Sequence, residues 1–455
     1  MFPGMPTDFD RAFRRLARLT DYETMATVPY HERTYGLARI EALLEDLGRP
    51  CSRRPILQVV GSKGKGTTTA AAASILLAAG LRTGSYFSPH LVHPSERILV
   101  DGRKVPGKDF KRAVARVLPF ALHHAGGERP TFFELMTAVA LLLFEEADCG
   151  AVVLEAGMGG RLDATTAPPR RAVLLTAVSL DHVQSLGGTT ALIAAEKAAA
   201  ARRGVPFYSA VPPRSSAGRA VAAACRRAGA PLLLEGREWT VARARTSLVA
   251  GGAETRFDLS LGGGPPIEDL AVPLLGVHQA RNAALAAAAL LDLARRKVFR
   301  VDGEAVRRGL AEIRLPARLE VVRRRPIVVL DGAHNAASVR AAVNAVRSVA
   351  DPGGTLRVVF AANRDKDLRG MFRALRGRTR TYATEVPNPR RAAAADLVRL
   401  AQAEGLEVSA EGTPAEALGA ALRDAGPGDA VLVTGSMYLA GALRPALVFI
   451  PNPRT

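Results

Sequence analysis

Cysteine and aromatic residues are scarce in this chain of 455 residues. The three cysteines, Cys51, Cys149 and Cys225, are scattered and form no C-x-x-C pair, so neither a disulfide framework nor a cysteine zinc site is supported. Aromatic residues make up 5% of the chain, and the core must therefore come from the Ala, Leu and Val within its 48% hydrophobic content. Scattered thiols are typical of a protein in a reducing cytoplasm.

Long apolar runs are absent as well. The longest stretches, such as residues 136–144, fall far short of the ~20 residues that span a bilayer. Residues 1–19 include Asp8, Asp10 and several arginines, and they contain no apolar segment of signal-peptide length. We therefore expect a soluble, cytoplasmic protein.

Lysine is rare although the net charge is +19, because 54 of the 62 basic residues are arginine and 8 are lysine. The charge is either surface composition or a positive field that concentrates anionic substrates or nucleic acid. No zinc-finger spacing, RNA-binding signature or basic tail is visible, which makes nucleic acid the weaker partner. Lys63, Lys65, Lys197 and Lys366 lie inside glycine-rich or acidic motifs, which suggests that the ammonium group itself is needed there.

Short apolar strands alternate with helical patterns along most of the chain, which predicts an α/β fold with a mostly parallel sheet. The helical pattern stops near Pro316 and a second β/α series follows. We expect a first domain over residues 1–315, of the phosphate-loop ATPase type, and a smaller C-terminal α/β domain over 316–455. Residues 238–275 predict a small β subregion. The predicted strands are 55–60, 150–155, 172–178, 207–210, 327–330, 356–360, 380–383 and 430–433; the predicted helices are 8–47, 68–79, 132–146, 191–202 and 276–293.

A glycine-rich segment lies between the first predicted strand and the next helix: Gly61-Ser62-Lys63-Gly64-Lys65-Gly66-Thr67. Glycines let backbone N–H groups approach phosphates, and a helix N-terminus adds a partial positive charge. Lys65 is expected to bridge the β- and γ-phosphates, and Thr67 to contact a phosphate or a magnesium ion. The spacing differs from the ordinary Walker A motif, since Val59 and Gly66 stand where that motif needs Gly and Ser or Thr.

This loop resembles that of the Mur ligase superfamily, and specifically of folylpolyglutamate synthases and dihydrofolate synthases, which usually carry Gly-Thr-[Asn/Lys]-Gly-Lys-Gly-Ser. Further segments are similar to that family's motifs in the family's order. They are 88–91 with 96–98 (S-P-H-L and E-R-I), 155–165 (E-A-G-M-G-G-R-L-D-A-T), 179–182 (S-L-D-H), 196–197 (E-K), 276–283 (G-V-H-Q-A-R-N-A), 316–320 (P-A-R-L-E), 331–335 (D-G-A-H-N), 364–367 (R-D-K-D) and 434–438 (T-G-S-M-Y).

Three residues are candidate metal ligands. Glu155 is a carboxylate at the end of a buried predicted strand, a place suited to Mg²⁺, which prefers oxygen ligands. The resemblance implies that Ser88 helps hold magnesium and that His182 binds a second magnesium ion. It also implies that Lys197 is carbamylated, although Ala199 replaces the family's usual glycine. An unmodified Lys197 would instead pair with Glu196 or phosphate.

The resemblance assigns roles to residues of the second half too. Gln279 and Asn282 are expected to face the nucleotide, although helix capping is the plainer interpretation of a polar helix start. Arg318 is expected to reach the γ-phosphate, and Asp331 and His334 to contact the nucleotide. The 364–367 and 434–438 segments are expected to shape the glutamate side of the site.

The implied reaction is ATP-dependent ligation of L-glutamate to a folate or dihydropteroate carboxylate through an acyl phosphate, with ATP and two Mg²⁺. Catalytic roles fall on Lys65, Lys197, Arg318, Asp331 and His334. Small molecules are the expected partners, and a monomer the expected state. Two alternatives stay open: a Mur-type ligase that acts on a cell-wall precursor, and a basic nucleic-acid-binding ATPase.

Overall fold

The computed structural model describes residues 32–122, 129–180 and 183–448. They group into two compact units. One contains the chain up to Thr240 together with Ser260–Pro265 and Asn282–Gly309. The other contains Val241–Leu259, Pro266–Arg281 and the chain from Leu310 onward. The expected boundary at 315/316 stays a prediction.

The first unit is built on an eight-stranded sheet in the order β4-β3-β2-β5-β1-β6-β7-β8. Neighbours from β2 to β8 run parallel, and β3 and β4 complete one edge with antiparallel pairing. The strands are β1 (Ile56–Val60), β2 (Thr83–Tyr86), β3 (Ile98–Val100), β4 (Arg103–Lys104), β5 (Ala151–Glu155), β6 (Ala172–Leu175), β7 (Phe207–Ser209) and β8 (Leu232–Leu234).

Helices cover both faces of this sheet, because its central strands are apolar on both sides. Ile56, Val152 and Leu154 belong to one buried apolar cluster, and Val60 and Val173 belong to a second one. The helices before the second unit's sheet are α1 (Glu32–Tyr35), α2 (Ala38–Asp46), α3 (Lys65–Ala78), α4 (Gly107–Leu122), α5 (Phe132–Glu146), α6 (Val183–Leu186), α7 (Thr190–Ala198), α8 (Ser216–Ala228), α9 (His278–Arg295) and α10 (Gly303–Ala311).

The second unit has a six-stranded sheet in the order β12-β13-β17-β14-β15-β16, in which β12 alone runs antiparallel. A three-stranded sheet, β11-β10-β9, precedes it along the chain. The remaining elements are β9 (Trp239–Val249), β10 (Gly252–Leu261), β11 (Ile267–Val272), β12 (Glu320–Arg324), β13 (Ile327–Leu330), α11 (Ala336–Arg347), β14 (Leu356–Phe360), α12 (Leu368–Leu375), β15 (Thr379–Ala383), α13 (Ala394–Ala403), β16 (Glu407–Ala410), α14 (Pro414–Asp424), β17 (Ala430–Thr434) and α15 (Met437–Val448).

The predicted α/β class with a mostly parallel sheet is confirmed. Several predicted limits differ from the observed ones: the helix expected at 276–293 spans His278–Arg295, and the strand expected at 172–178 ends at Leu175. Two further helix limits also differ. The helix expected at 68–79 begins at Lys65, because Gly64 adopts a left-handed conformation and starts the helix earlier. The helix expected at 191–202 ends at Ala198, and the following arginines are exposed. Part of the helix expected at 8–47 lies outside the described residues. No helix among the described residues is long and apolar enough to span a membrane.

Candidate active site

The ends of three neighbouring strands bring the first unit's candidate residues to one edge of the sheet. β1 lies between β5 and β6, with Val59 opposite Glu155 and Val60 opposite Leu175. Because the three strands are parallel, their carboxyl ends share an edge, where ligands bind in open α/β sheets. The glycine-rich loop, Glu155 and the residues that follow β6 are therefore neighbours.

Two glycines of the loop are fixed by close contacts. Gly61 has φ of +151°, and a Cβ added there would lie 1.8 Å from Thr176 Oγ1. Gly64 has φ of +88°, and its Cβ would lie 2.2 Å from Asn282 Oδ1. Larger residues would be strained and would displace these neighbours. The structure thus brings Asn282 against the phosphate loop.

Hydrogen bonds fix the position of the loop before α3. Ser62 donates from its backbone N to Ala177 O at 2.9 Å and from Oγ to Ser179 O at 3.1 Å. Lys65 Nζ donates to Gly61 O at 3.2 Å, so the ammonium group lies back across the loop. Since α3 begins at Lys65, the unsatisfied N–H groups of its first turn belong to the loop's own residues, as an anion site requires.

Ser88 and Glu155 meet at the ends of β2 and β5. The Ser88 backbone N donates to Glu155 Oε2 at 3.3 Å, and Glu155 is 3% exposed. A buried carboxylate and nearby hydroxyl groups are hard oxygen donors, which fit Mg²⁺. The described residues contain no group of three or more His, Cys, Asp or Glu able to hold a metal, so phosphate and water oxygens would have to complete its shell. His182 lies outside the described residues.

The segment after Glu155 is held by a buried polar network that the sequence interpretation missed. Asp163 accepts hydrogen bonds from Met158 N at 2.9 Å and from Thr165 N at 3.0 Å. Gln58 Nε2, in the middle of β1, donates to Thr165 Oγ1 at 2.8 Å and to Thr166 Oγ1 at 2.7 Å. Burial raises the pKa of Asp163 although these hydrogen bonds oppose the shift. A polar residue within the apolar run of β1 was the available signal.

Lys197 is also buried, at 3% exposure, on α7. Its carbonyl oxygen would lie 2.4 Å from a Cβ at Gly160, so α7 packs directly on the segment that follows Glu155. Arg161 Nε donates to both Glu196 oxygens at 3.3 Å across the same contact. A buried ammonium group is costly unless it is paired or modified.

Arg170 is a second buried cation that sequence reasoning did not single out. Its Nη2 donates to Ala200 O at 3.2 Å, and its Nη1 donates to Thr166 O. Burial lowers its pKa to about 10. Arg170 therefore ties the end of α7 to the 157–166 segment. Among 54 arginines nothing in the sequence distinguished it.

In the second unit, Asp331 and His334 follow β13. Asp331, 8% exposed, accepts from Leu319 N at 3.0 Å and from Ala333 N at 2.9 Å. The ring nitrogen Nδ1 of His334 lies 3.0 Å from Gly332 O. Asp331 therefore joins the turn before β12 to the turn after β13. This structural role is additional to the predicted nucleotide contact.

Arg318 lies in the same turn. Its Nη1 lies 3.1 Å from Met437 Sδ, and a Cβ at Gly332 would lie 1.8 Å from that sulfur and 3.2 Å from Nη1. The neighbouring Ala317 and Leu319 have φ of +53° and +52°, a left-handed backbone that is uncommon for residues with a Cβ. The 316–320 and 434–438 motifs, distant in sequence, thus contact each other.

The second unit contains two further groups of candidates, Gln279 and the 364–367 segment. Gln279 is buried in the first turn of α9, and its backbone N donates to Gly276 O at 2.9 Å. Asp365 is flanked by two cations, with Arg390 Nη1 at 3.5 Å and Lys366 Nζ at 3.8 Å. The side chain of Arg390, which no sequence motif indicated, thus joins the 364–367 segment.

Comparisons with known proteins agree with this architecture. Residues 59–290 match the Mur ligase middle domain, and residues 317–437 match the Mur ligase glutamate ligase domain. The folylpolyglutamate synthase of Lacticaseibacillus casei is 33% identical over 440 residues, which cover 94% of this chain and 98% of the relative.

Two further proteins are similar over most of the chain. A probable bifunctional folylpolyglutamate synthase/dihydropteroate synthase of Haloferax volcanii is 36% identical over 427 residues, 92% of this chain, which spans about half (49%) of that relative. The solved structure of a bifunctional folylpolyglutamate synthase/dihydrofolate synthase of Yersinia pestis, complexed with AMPPNP and a Mn ion, superposes with a TM-score of 0.81 at 29% identity. It covers 98% of this chain and 100% of that protein.

The folds and motifs define a Mur-type ligase, and within that class the chain belongs to the folylpolyglutamate synthase/dihydrofolate synthase family.

Proposed function

We propose that this protein ligates L-glutamate to the carboxylate of a folate or a dihydropteroate, using ATP and magnesium. The observation that carries the proposal is the phosphate loop with its left-handed Gly64 against Asn282, beside the buried Glu155 on the neighbouring strand end. The AMPPNP and Mn ion of the Yersinia structure support the same ligand classes here.

The chemistry follows from the poor reactivity of a carboxylate. Its oxygen attacks the γ-phosphorus of ATP, ADP leaves, and an acyl phosphate forms. The glutamate amine then attacks the acyl carbon, loses a proton, and inorganic phosphate leaves. Both steps place extra negative charge on oxygen, which fixed positive charges stabilise.

In the first unit, the loop N–H groups of residues 61–67 and Lys65 bind and orient the phosphates. Asn282 fixes the loop through its packing on Gly64. Glu155 and Ser88, with Thr67 and His182, would hold divalent metal, whose chemistry is to neutralise phosphate charge. We propose two magnesium ions and a carbamylated Lys197, since carbamylation would turn a buried cation into an anion beside them.

In the second unit, Arg318 supplies charge to the γ-phosphate, and Asp331 holds the turn that carries Arg318. Gln279 and His334 contact the nucleotide. Lys366 and Arg390, flanking Asp365, are suited to the carboxylates of the incoming glutamate. The 315/316 domain boundary, a monomeric state and a cytoplasmic location are part of the same proposal.

Phosphate release from ATP, measured with L-glutamate and a panel of acceptors, tests the function. The panel contains dihydropteroate, tetrahydrofolate and a cell-wall precursor. We expect release that needs both glutamate and a pterin, and the preferred pterin distinguishes a dihydrofolate synthase from a folylpolyglutamate synthase. Release with the cell-wall acceptor alone, or with glutamate and no acceptor, would contradict the proposal.

The isosteric substitution Glu155→Gln tests the site within that assay. Loss of one charge-stabilising group at an active site lowers kcat by roughly 10²–10³, and higher Mg²⁺ should restore part of it. Arg226→Ala, an exposed change on α8, is the matched control. Equal activity of Glu155→Gln and the wild type would remove Glu155 from the metal site.

A further inference from the structure

A cluster of cations lies next to the Ser88 loop and has no role in the site described so far. Three of the 8 lysines in the chain, Lys104, Lys108 and Lys111, fall within eight consecutive residues, and Arg103 precedes them. We call these four residues the basic cluster. In a chain that uses arginine for 54 of its 62 cations, three closely spaced lysines are not explained by composition.

The sheet register brings the basic cluster to the edge that carries the phosphate loop. β4 pairs antiparallel with β3, which pairs antiparallel with β2, so β4 runs in the same direction as β2 and β5. Val105 N donates to Ile98 O at 3.2 Å, and Ile98 lies opposite Tyr86, two residues before Ser88. β4 and β1 are four strands apart, or about 19 Å at ~4.8 Å per strand.

The basic cluster lies beside the loop between Ser88 and Arg97, because β4 pairs with β3, which follows that loop. The His93 ring packs edge-on against Phe110 of α4, with ring centroids 5.8 Å apart. Glu96 is occupied within the loop, because its carboxylate accepts from the backbone N of residues 91, 92 and 93. Burial lowers the pKa of His93, and the charges of Lys104 and Lys111 lower it further.

Neighbouring cations are neutralised, whereas most of the basic cluster is not. On α4, Arg112 and Arg116 pair with Glu146 at 3.0 and 3.1 Å. Within the part of the chain that the structure describes, no carboxylate pairs with Arg103, Lys104 or Lys108, all of which are exposed. Lys108 also occupies the first turn of α4, where the helix dipole disfavours a cation. Such a concentration of charge fits an anionic ligand.

We propose that the basic cluster binds the α-carboxylates of a γ-linked glutamyl chain already attached to the acceptor. This rests on the proposed function and narrows it to acceptors that are elongated repeatedly. Each γ-linked glutamate keeps an ionised α-carboxylate, so the chain presents a row of anions whose position shifts as it grows. Lysines, as point charges on flexible stems, suit a shifting row better than the rigid fork of arginine, which suits one fixed carboxylate.

The test compares acceptors that differ only in chain length. KM and kcat are measured for tetrahydrofolate carrying one or three γ-glutamates, with the wild type and with Lys104→Ala/Lys108→Ala. In the double variant we expect the KM of the triglutamate to rise about tenfold, because each of the two lost exposed ion pairs contributes a factor of up to about five. The KM of the monoglutamate should rise less than about twofold. The difference should shrink at high salt, which screens exposed charges.

Two variants and one binding measurement complete the test. Lys104→Arg/Lys108→Arg keeps the charge and should retain most of the affinity, while Arg226→Ala/Arg227→Ala removes the same charge from α8 and should change neither KM. The dissociation constant of p-aminobenzoyl-tri-γ-glutamate, measured in the presence of ADP and Mg²⁺, should rise in the same variants and by a similar factor as the KM of the triglutamate.

The outcomes separate the two proposals. Equal changes in both KM values, an equal effect of the α8 control, or a wild-type affinity that does not rise with chain length would overturn the basic-cluster assignment and leave the ligase intact. Absence of glutamate-dependent phosphate release with every pterin acceptor would overturn the proposed function and this assignment with it.

Discussion

Gly64→Ala is the sharpest test of the phosphate-loop geometry. The alanine would keep φ of +88°, a left-handed conformation that costs an L-residue about 1–2 kcal/mol. Its Cβ would also lie 2.2 Å from Asn282 Oδ1, and relieving such an overpacked contact costs about 1–3 kcal/mol. The first unit should therefore lose about 2–5 kcal/mol of stability, part of it recovered if the loop moves and nucleotide affinity falls instead.

Gly80→Ala provides the matched control. Gly80 has nearly the same φ, +84°, but a Cβ there would meet nothing within 4 Å. It should therefore cost only the left-handed strain, about 1–2 kcal/mol, and should leave nucleotide binding unchanged. Comparing the two variants separates backbone strain from the contact with Asn282.

Urea unfolding and the affinity for a fluorescent ADP analogue are the measurements. Combining Gly64→Ala with Asn282→Ala removes the contact partner, so the double variant should recover the part due to overpacking, a coupling of about 0.5–3 kcal/mol. Equal losses for Gly64→Ala and Gly80→Ala, with no coupling to Asn282, would refute this account of the loop.

Three further predictions concern other parts of the molecule. Ala317→Gly relieves left-handed strain of about 1–2 kcal/mol at φ of +53° but removes a buried methyl group worth about 0.8 kcal/mol, so the second unit should gain up to about 1 kcal/mol in urea unfolding. A loss greater than the methyl contribution would show that the left-handed turn is not strained. The pKa of His93 is lowered in the folded protein, so the unfolded chain takes up the proton first and stability is lost as pH falls through about 6.5. Lys104→Ala should raise the pKa of His93, measured by NMR, and should reduce this loss of stability. An unchanged pKa would show that Lys104 is too far away to act on His93. The three buried cysteines should resist modification by DTNB at pH 8 until the protein unfolds. The reason is that burial raises the thiol pKa values, to about 11 for Cys149 and about 12 for Cys225. Rapid labelling of the native protein would contradict their burial.

The periodicity of the sequence located the central strands well. The predicted 55–60 strand corresponds to β1, and the 327–330 strand to β13, because fully buried strands read as short apolar runs bounded by glycine or proline. Short edge strands such as β3 and β4 were not predicted. β3 has three apolar residues, too few to be recognised as a strand, and β4 has two exposed cationic residues. Pairing of β3 with β2 and of β4 with β3 is what defines them.

Single residues of the site also differ in whether the sequence indicated them. Motif spacing indicated the glycine loop, Ser88 and Glu155, and the last two are joined by a hydrogen bond in the structure. It did not indicate Gln58 or Arg170, whose roles depend on neighbours 107 and 30 residues away in the chain. Nor did it show that Asp331 is engaged by the backbone of Leu319, since that contact exists only once β12 has paired with β13.

By itself, the sequence determined the fold class and the family and indicated candidate site residues, because each of these is encoded by local pattern and spacing. Only the tertiary structure decided which residues meet. The order β5-β1-β6 brings Glu155 beside the phosphate loop, and the packing of α9 puts Asn282 against Gly64. The physical reason is that strand order and helix packing join residues distant in the chain, and a hydrogen bond or a steric limit exists only between atoms that have already been brought within a few ångströms.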